Sequence, residues 1–307
     1  MISVVTLEGD MFNRCEVFDE TDLDAAVARF DELNLSAPRL ENAATRVYEH
    51  LLAYYATRDW AAITEIVSDD LYSDDRRPVV GAGIRHGQDA LVEDLRAVAN
   101  VAVTNATSDA VATRGGRVAL TRARYSRSCE EPGAFHVDFL QIVEIDANAR
   151  ITALVALDLD NIDAAFEELD ARYIAGEAAA YARTWSVVTG AYAALNRHEF
   201  PATTPDWVNI DHRGEAAFGP SDLIAYLRSG LDLDQEINIY IEAVHRLIDF
   251  GAVITYAAHE TSREGFDAEW RGVAVLMVEG DMVNRCEVFD EADLDAALVR
   301  FDELDQL

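Results

Sequence analysis

Residues 207–213, Trp-Val-Asn-Ile-Asp-His-Arg, read as a β-strand, and the two-residue period of a strand puts Trp207, Asn209, Asp211 and Arg213 on one face. A carboxylate set in an apolar pocket gains affinity for a proton, which is what general-base work needs. Two readings of Asp211 stay open: a base in a pocket, or a partner of Arg213 or His212 at a strand end. Aromatic side chains concentrate in the same part of the chain, at Trp185, Tyr192, Trp207, Tyr226, Tyr240, Tyr256 and Trp270. Most read as core, and Tyr192, Trp207, Tyr256 and Trp270 are the candidates to line a ligand pocket. The seven histidines include no His-x-His or His-Glu-x-x-His spacing, so no metal site is expected and no cofactor is implied.

Composition narrows the partners. The 57 acidic residues outnumber the 25 basic ones and give a formal charge of −32, which repels phosphate backbones and anionic membranes. Every basic residue is arginine, and without lysine neither Schiff-base chemistry nor a P-loop lysine is available. The cysteines, Cys15, Cys129 and Cys286, suggest no disulfide framework, since two of them are copies of one repeat position. No apolar run approaches the ~20 residues that cross a bilayer, and no leader pattern is present, so a cytoplasmic location is expected.

The elements that must position these residues come from an internal repeat. Residues 2–34 match residues 273–305 at 23 of 33 positions without a gap. A weaker copy at 139–170 keeps Asp158, Asp163 and Ala164-Ala165 where the last copy has Asp290, Asp295 and Ala296-Ala297. The period is about 135 residues, the size of a domain. Each copy reads as two strands joined by a tight turn, then a helix capped by Asp19, Asp158 or Asp290. Leu294, Ala297, Leu298 and Phe301 form one apolar stripe on the last of these helices. Upstream of the second and third copies lie amphipathic helices at 41–59 and 177–199, acidic strands at 68–77 and 204–213, and short helices led by glycine (GQDALVEDLRA, GPSDLIAYLRS). Alternating strands follow, clearest at 237–248 and 252–262. The order predicts an α+β fold: two tandem cone-shaped domains, each a curved, mostly antiparallel sheet wrapped around N-terminal helices, plus a partial N-terminal repeat. The boundaries read from it are 1–36 for the partial repeat, 37–172 for the first domain and 173–307 for the second.

That order, with a strand ending in Asp-Asp-Arg or Asp-His-Arg and a last strand ending in Arg-Cys-Glu-Val-Phe-Asp, resembles the SnoaL-like branch of the nuclear-transport-factor-2-like fold. The resemblance covers about residues 41–170 and 177–305, and it implies a conical pocket. The fold hosts isomerases, cyclases and epoxide hydrolases as well as binding and dimerising modules, so it does not choose a function. The paired units also resemble repeated C-terminal tails of large actinobacterial multidomain proteins, which implies a chain beginning inside a repeat. By the resemblance, Asp211 and its counterpart Asp75 fall at the proton-shuttling carboxylate of ketosteroid-isomerase-like members, and Tyr192 falls near their phenol. A second comparison, with limonene-epoxide-hydrolase-like members, aligns Glu287 with a water-activating aspartate and brings His259 near the other essential one. The arginine that should stand two residues before His259 is Ala257 here, and Arg285 replaces it only if it points inward. The first unit has Val155 at the Glu287 position and reads as chemically silent.

Two functions follow from these residues. One is a small-molecule-binding or assembly module with its pocket in the second domain, possessing no turnover. The other is an isomerase, cyclase or epoxide-hydrolase-like enzyme using Asp211, His259 and Glu287, with Arg285 among the ligand contacts. Whether those three converge on one enclosed cavity decides between them. The second pocket is expected to be the larger and more aromatic. An apolar small molecule is the expected ligand, nucleic acid and membrane are not expected partners, and self-association is expected through sheet faces or the partial repeat, whose hairpin is too small to be stable alone.

Overall fold

The computed structural model describes residues 2–8, 11–19, 22, 25–26, 29, 40–78, 83–100, 103, 105–126, 136–213, 216–218, 236–261 and 267–306. The second of the expected glycine-led helices, GPSDLIAYLRS, lies outside the described residues, as does Tyr226. The chain divides into two compact bodies, residues 1–40 and residues 41–307.

The small body is a hairpin of β1 (Ile2–Glu8) and β2 (Met11–Phe18), a two-stranded sheet of its own. Arg29 clasps Glu16 through Nε and Nη2 at 3.0–3.1 Å, and Ala26 is buried.

The large body holds two six-stranded sheets. The first is preceded by α1 (Ala43–Thr57) and α2 (Trp60–Ile66) and contains β3 (Val67–Asp75), β4 (Gly83–His86), β5 (Asn105–Arg114), β6 (Val118–Ser126), β7 (His136–Ile145) and β8 (Ile151–Leu157), with α3 (Gln88–Asn100) inserted and α4 (Ile162–Ala175) closing the unit. The second follows α5 (Ala182–Asn196) and contains β9 (Thr203–Asp211), β10 (Ala216–Phe218), β11 (Glu236–Ile248), β12 (Gly251–Thr261), β13 (Asp267–Glu279) and β14 (Met282–Asp290), with α6 (Leu294–Asp305) closing it. Strand order is β4, β3, β8, β7, β6, β5 in one sheet and β10, β9, β14, β13, β12, β11 in the other. These are the same order, antiparallel except where β3 meets β8 and β9 meets β14. The α+β class read from the sequence is therefore the observed one.

Each sheet is covered on both faces. On its inner face the first packs Tyr48, Leu51 and Tyr55 of α1, and on its outer face Phe166 and Leu169 of α4. The second packs Trp185 and Val188 of α5 inside, and Ala297 and Phe301 of α6 outside. The start of α1 is fixed by a reciprocal capping box between Asn42 and Thr45. Asn42 Nδ2 also donates to the carbonyls of Gly115 and Val118, tying the helix to the β5–β6 turn. Gly115 takes φ +54° there, and a Cβ would lie 2.6 Å from the Glu177 carboxylate that accepts from Gly116 and Arg117 N–H.

Asp158 and Asp290 do not cap α-helices as the sequence suggests. Each begins a single 3₁₀ turn, makes no side-chain capping bond, and the α-helix starts four residues later.

The two sheets are joined by a buried arginine. Arg114, 1% exposed, donates from Nε to Asp170 Oδ1 at 2.6 Å and from Nη1 to the Ile241 carbonyl at 2.9 Å. Trp185 Nε1 donates to the same Asp170 oxygen, and Tyr240 stacks on Phe166 with ring centroids 4.7 Å apart. Among the described residues no helix is long and apolar enough to cross a membrane.

Candidate functional site

In β9, alternate side chains point into the second unit, and Trp207, Asn209, Asp211 and Arg213 all line one cavity of about 360 Å³. Helix α5 contributes Tyr192 to the wall, β12 contributes Tyr256, β13 contributes Trp270, and β14 contributes Cys286 and Val288. The carboxylate of Asp211 is held by Arg213, whose Nε and Nη2 both donate at 3.1 Å and whose backbone N–H donates at 3.0 Å. A carboxylate so bound is held in one orientation, with its lone pairs partly committed to Arg213.

Two phenol hydroxyls and a thiol also face this cavity. Burial pushes the Tyr192 phenol well above its ordinary value, with Cys286 and Tyr256 adding to the effect. Burial likewise raises Tyr256, partly offset by the Arg213 charge. Both phenols therefore keep their protons at physiological pH, and among the described residues neither has a hydrogen-bond partner. Burial, with the Glu287 and Asp211 charges, pushes the Cys286 thiol up to about 12. The Trp207 indole N–H is buried and also unpartnered among the described residues.

Glu287 and His259 lie elsewhere. The parallel register of β14 on β9 sets Val288 beside Asp211, so Glu287, one residue away, projects from the opposite face of the sheet. There it is fully buried against α6, accepting from Arg285 Nη1 at 2.8 Å and from Arg300 Nε and Nη2 at 3.0 and 3.2 Å, with His212 Nε2 at 2.7 Å. Burial alone would raise this carboxyl, but the hydrogen bonds from Arg300, His212 and Arg285 outweigh it and hold Glu287 below its ordinary value. The alternation that turns Tyr256 and Ala258 into the cavity turns His259 outward, where it is exposed with its ring 6.1 Å from that of Tyr240. The set Asp211, His259 and Glu287 thus does not converge. Tyr192, Trp207, Asp211, Tyr256 and Trp270 share the cavity, whereas Arg285 does not point inward and belongs to the Glu287 cluster.

His212, read from the sequence as an alternative partner of Asp211, pairs with Glu287 instead, and Arg300 was not singled out although a signal for it existed. The N-terminal copy has Glu16 with Arg29 and the C-terminal copy has Glu287 with Arg300, each thirteen residues apart, and both pairs form. The middle copy has Val155 and Glu168 at these places, so the pair is lost together.

The first unit also encloses a cavity, of about 440 Å³, lined by Ser73, Asp75 and Arg77 of the β3 edge, Tyr48 of α1, Tyr125 of β6 and Gln141 of β7 among others. The expectation that the second pocket is the larger is therefore reversed. Trp207 takes up space in the second unit, and Val288 stands where the first unit has Ala156.

No protein-family model matches this chain, and no curated protein matches it. Among solved structures, a Mycobacterium tuberculosis protein in complex with estradiol-17β-hemisuccinate is similar, at 14% identity and TM-score 0.33, over 39% of this chain and 97% of that one. The Δ5-3-ketosteroid isomerase of a Mycobacterium species is similar at 13% identity and TM-score 0.32, over 36% of this chain and 95% of its own. A nuclear-transport-factor-2-like protein of unknown function from an Exiguobacterium species is similar at 18% identity and TM-score 0.29, over 38% and 97%.

Proposed function

We propose that residues 173–307 form a binding module for an apolar small molecule that carries an acceptor oxygen. The observation behind this reading is the pair of protonated, unpartnered phenols, Tyr192 and Tyr256, on the wall of a largely apolar cavity. Both hydroxyls keep accessible surface in the cavity, so a ligand oxygen can accept from them without displacing a protein partner. The volume falls at the low end of the ~300–1,000 Å³ typical of ligand sites. Desolvation disfavours a charged ligand. In this reading the chain divides at 36 and 172, and the partial repeat promotes contact with a second copy through apolar side chains such as the exposed Val17; an unchanged solution mass after deletion of residues 1–36 would remove that part.

Prodan, a neutral fluorophore with a carbonyl acceptor, tests the pocket. We expect saturable, blue-shifted binding that Tyr192→Phe or Tyr256→Phe weakens by about 3- to 10-fold, and that Trp207→Ala weakens further. Leu71→Ala in the first unit should leave it unchanged, and equal loss from both units would refute a single working pocket. Turnover is the second reading, favoured by the Asp211 carboxylate on the cavity wall and disfavoured by its Arg213 clasp.

A further inference from the structure

Across the first sheet, strand register places Asp75 of β3 beside Ala156 of β8, and Ala156 beside Gln141 of β7. The three therefore form one lateral row under the cavity, with Asp75 and Gln141 about 10 Å apart at two strand spacings and only a methyl group between them. Gln141 is 7% exposed and lines the cavity. Its amide nitrogen donates to the Ile142 carbonyl at 3.0 Å, and its amide oxygen has no partner among the described residues. That oxygen keeps some accessible surface, so it opens onto the cavity as a free acceptor. Asp75 accepts three hydrogen bonds from Arg77 at 2.6–3.1 Å and still has lone pairs to offer, because a carboxylate accepts about four. The Arg77 guanidinium is committed to that carboxylate and to the Phe139 ring 4.3 Å away, so it offers little to a ligand. Ser73 lies on the same face of β3 as Asp75.

We propose that this first cavity is a binding site in its own right, taking a small neutral molecule whose N–H or O–H donor group sits over Ala156 between Gln141 Oε1 and Asp75. It is a different site from the one proposed for residues 173–307 and has the opposite hydrogen-bonding sense. Tyr48 and Tyr125 complete the apolar walls, and their buried phenols lie against each other rather than turning to a ligand.

Indole, a planar neutral N–H donor with no acceptor oxygen, is the probe, read by saturation-transfer NMR and by calorimetry on the full chain. Wild type should bind it; Gln141→Met, which keeps the volume and removes the acceptor, should weaken binding by about 10-fold with the thermal midpoint held. Should Gln141→Met fail to fold, Ala156→Val, which covers the middle of the row, must produce the same loss. Tyr192→Phe alters only the second cavity and should change nothing. No indole binding, binding indifferent to both first-unit variants, or loss on Tyr192→Phe would each overturn the proposal.

Discussion

In the first unit the row beneath the cavity reads Asp75, Ala156, Gln141; in the second the same register reads Asp211, Val288, Ala274. The arginine clasp two residues after the aspartate is retained in both. What differs is the far end of the row, where an amide acceptor in one unit is a methyl group in the other, and the middle, where alanine has become valine. The second unit instead offers hydroxyl donors from Tyr192 and Tyr256. Strand order and register are set by backbone pairing, so the side chains over the cavity floor can change polarity without moving the frame. The outer faces differ in the same way: the position that is apolar Val155 under α4 is Glu287 under α6, ringed by Arg285, Arg300 and His212.

The largest expected difference lies on that outer face. Glu287→Ala leaves two arginines and a histidine without their shared carboxylate and should cost about 3 kcal/mol, the low end for a broken buried pair because the arginines are part-exposed. Val155→Ala removes only buried hydrocarbon and should cost about 1.5–2 kcal/mol. Urea unfolding followed by far-UV circular dichroism compares them, and equal losses would mean the ionic cluster adds nothing to its unit.

A transplant sharpens the cavity contrast. Ala274→Gln with Val288→Ala writes the first unit's row into the second, and indole stoichiometry should rise from one to two per chain, the new site within about 10-fold of the first. A stoichiometry that stays at one would show that the row alone does not specify the ligand.

The smallest effect concerns acid. Because Glu287 is held below its ordinary value in the folded chain, its contribution is fully present above the unfolded value of about 4.3 and is lost as pH falls through the folded one. Between pH 4.5 and 3, wild type should lose more stability than Glu287→Gln. Parallel losses would mean that other carboxylates set the acid limit.

Much of this was legible in the sequence, and for identifiable reasons. The gapless repeat and two-residue alternation gave the strands to within a residue or two, and put Trp207, Asn209, Asp211 and Arg213 on the face that lines the cavity. Alternation within β14 is equally plain, but which of its faces meets the cavity depends on register against β9, a long-range parallel pairing that local pattern does not encode. That is why Glu287 and Arg285 read as site residues and stand behind the sheet. Gln141 went unnoticed because a single glutamine in an apolar strand carries no spacing signal, and its meaning appears only when β3 and β7 are laid on either side of β8.

Cys286 sits on the second cavity wall with its thiol pushed up to about 12, so at neutral pH almost none of it is thiolate. An alkylating reagent entering the cavity therefore meets little thiolate, and more of it forms when the strands part and water enters. The slow rate at which iodoacetamide marks this sulfur would then time the breathing of β14 against its neighbours, giving the second unit a built-in clock that needs no engineered label.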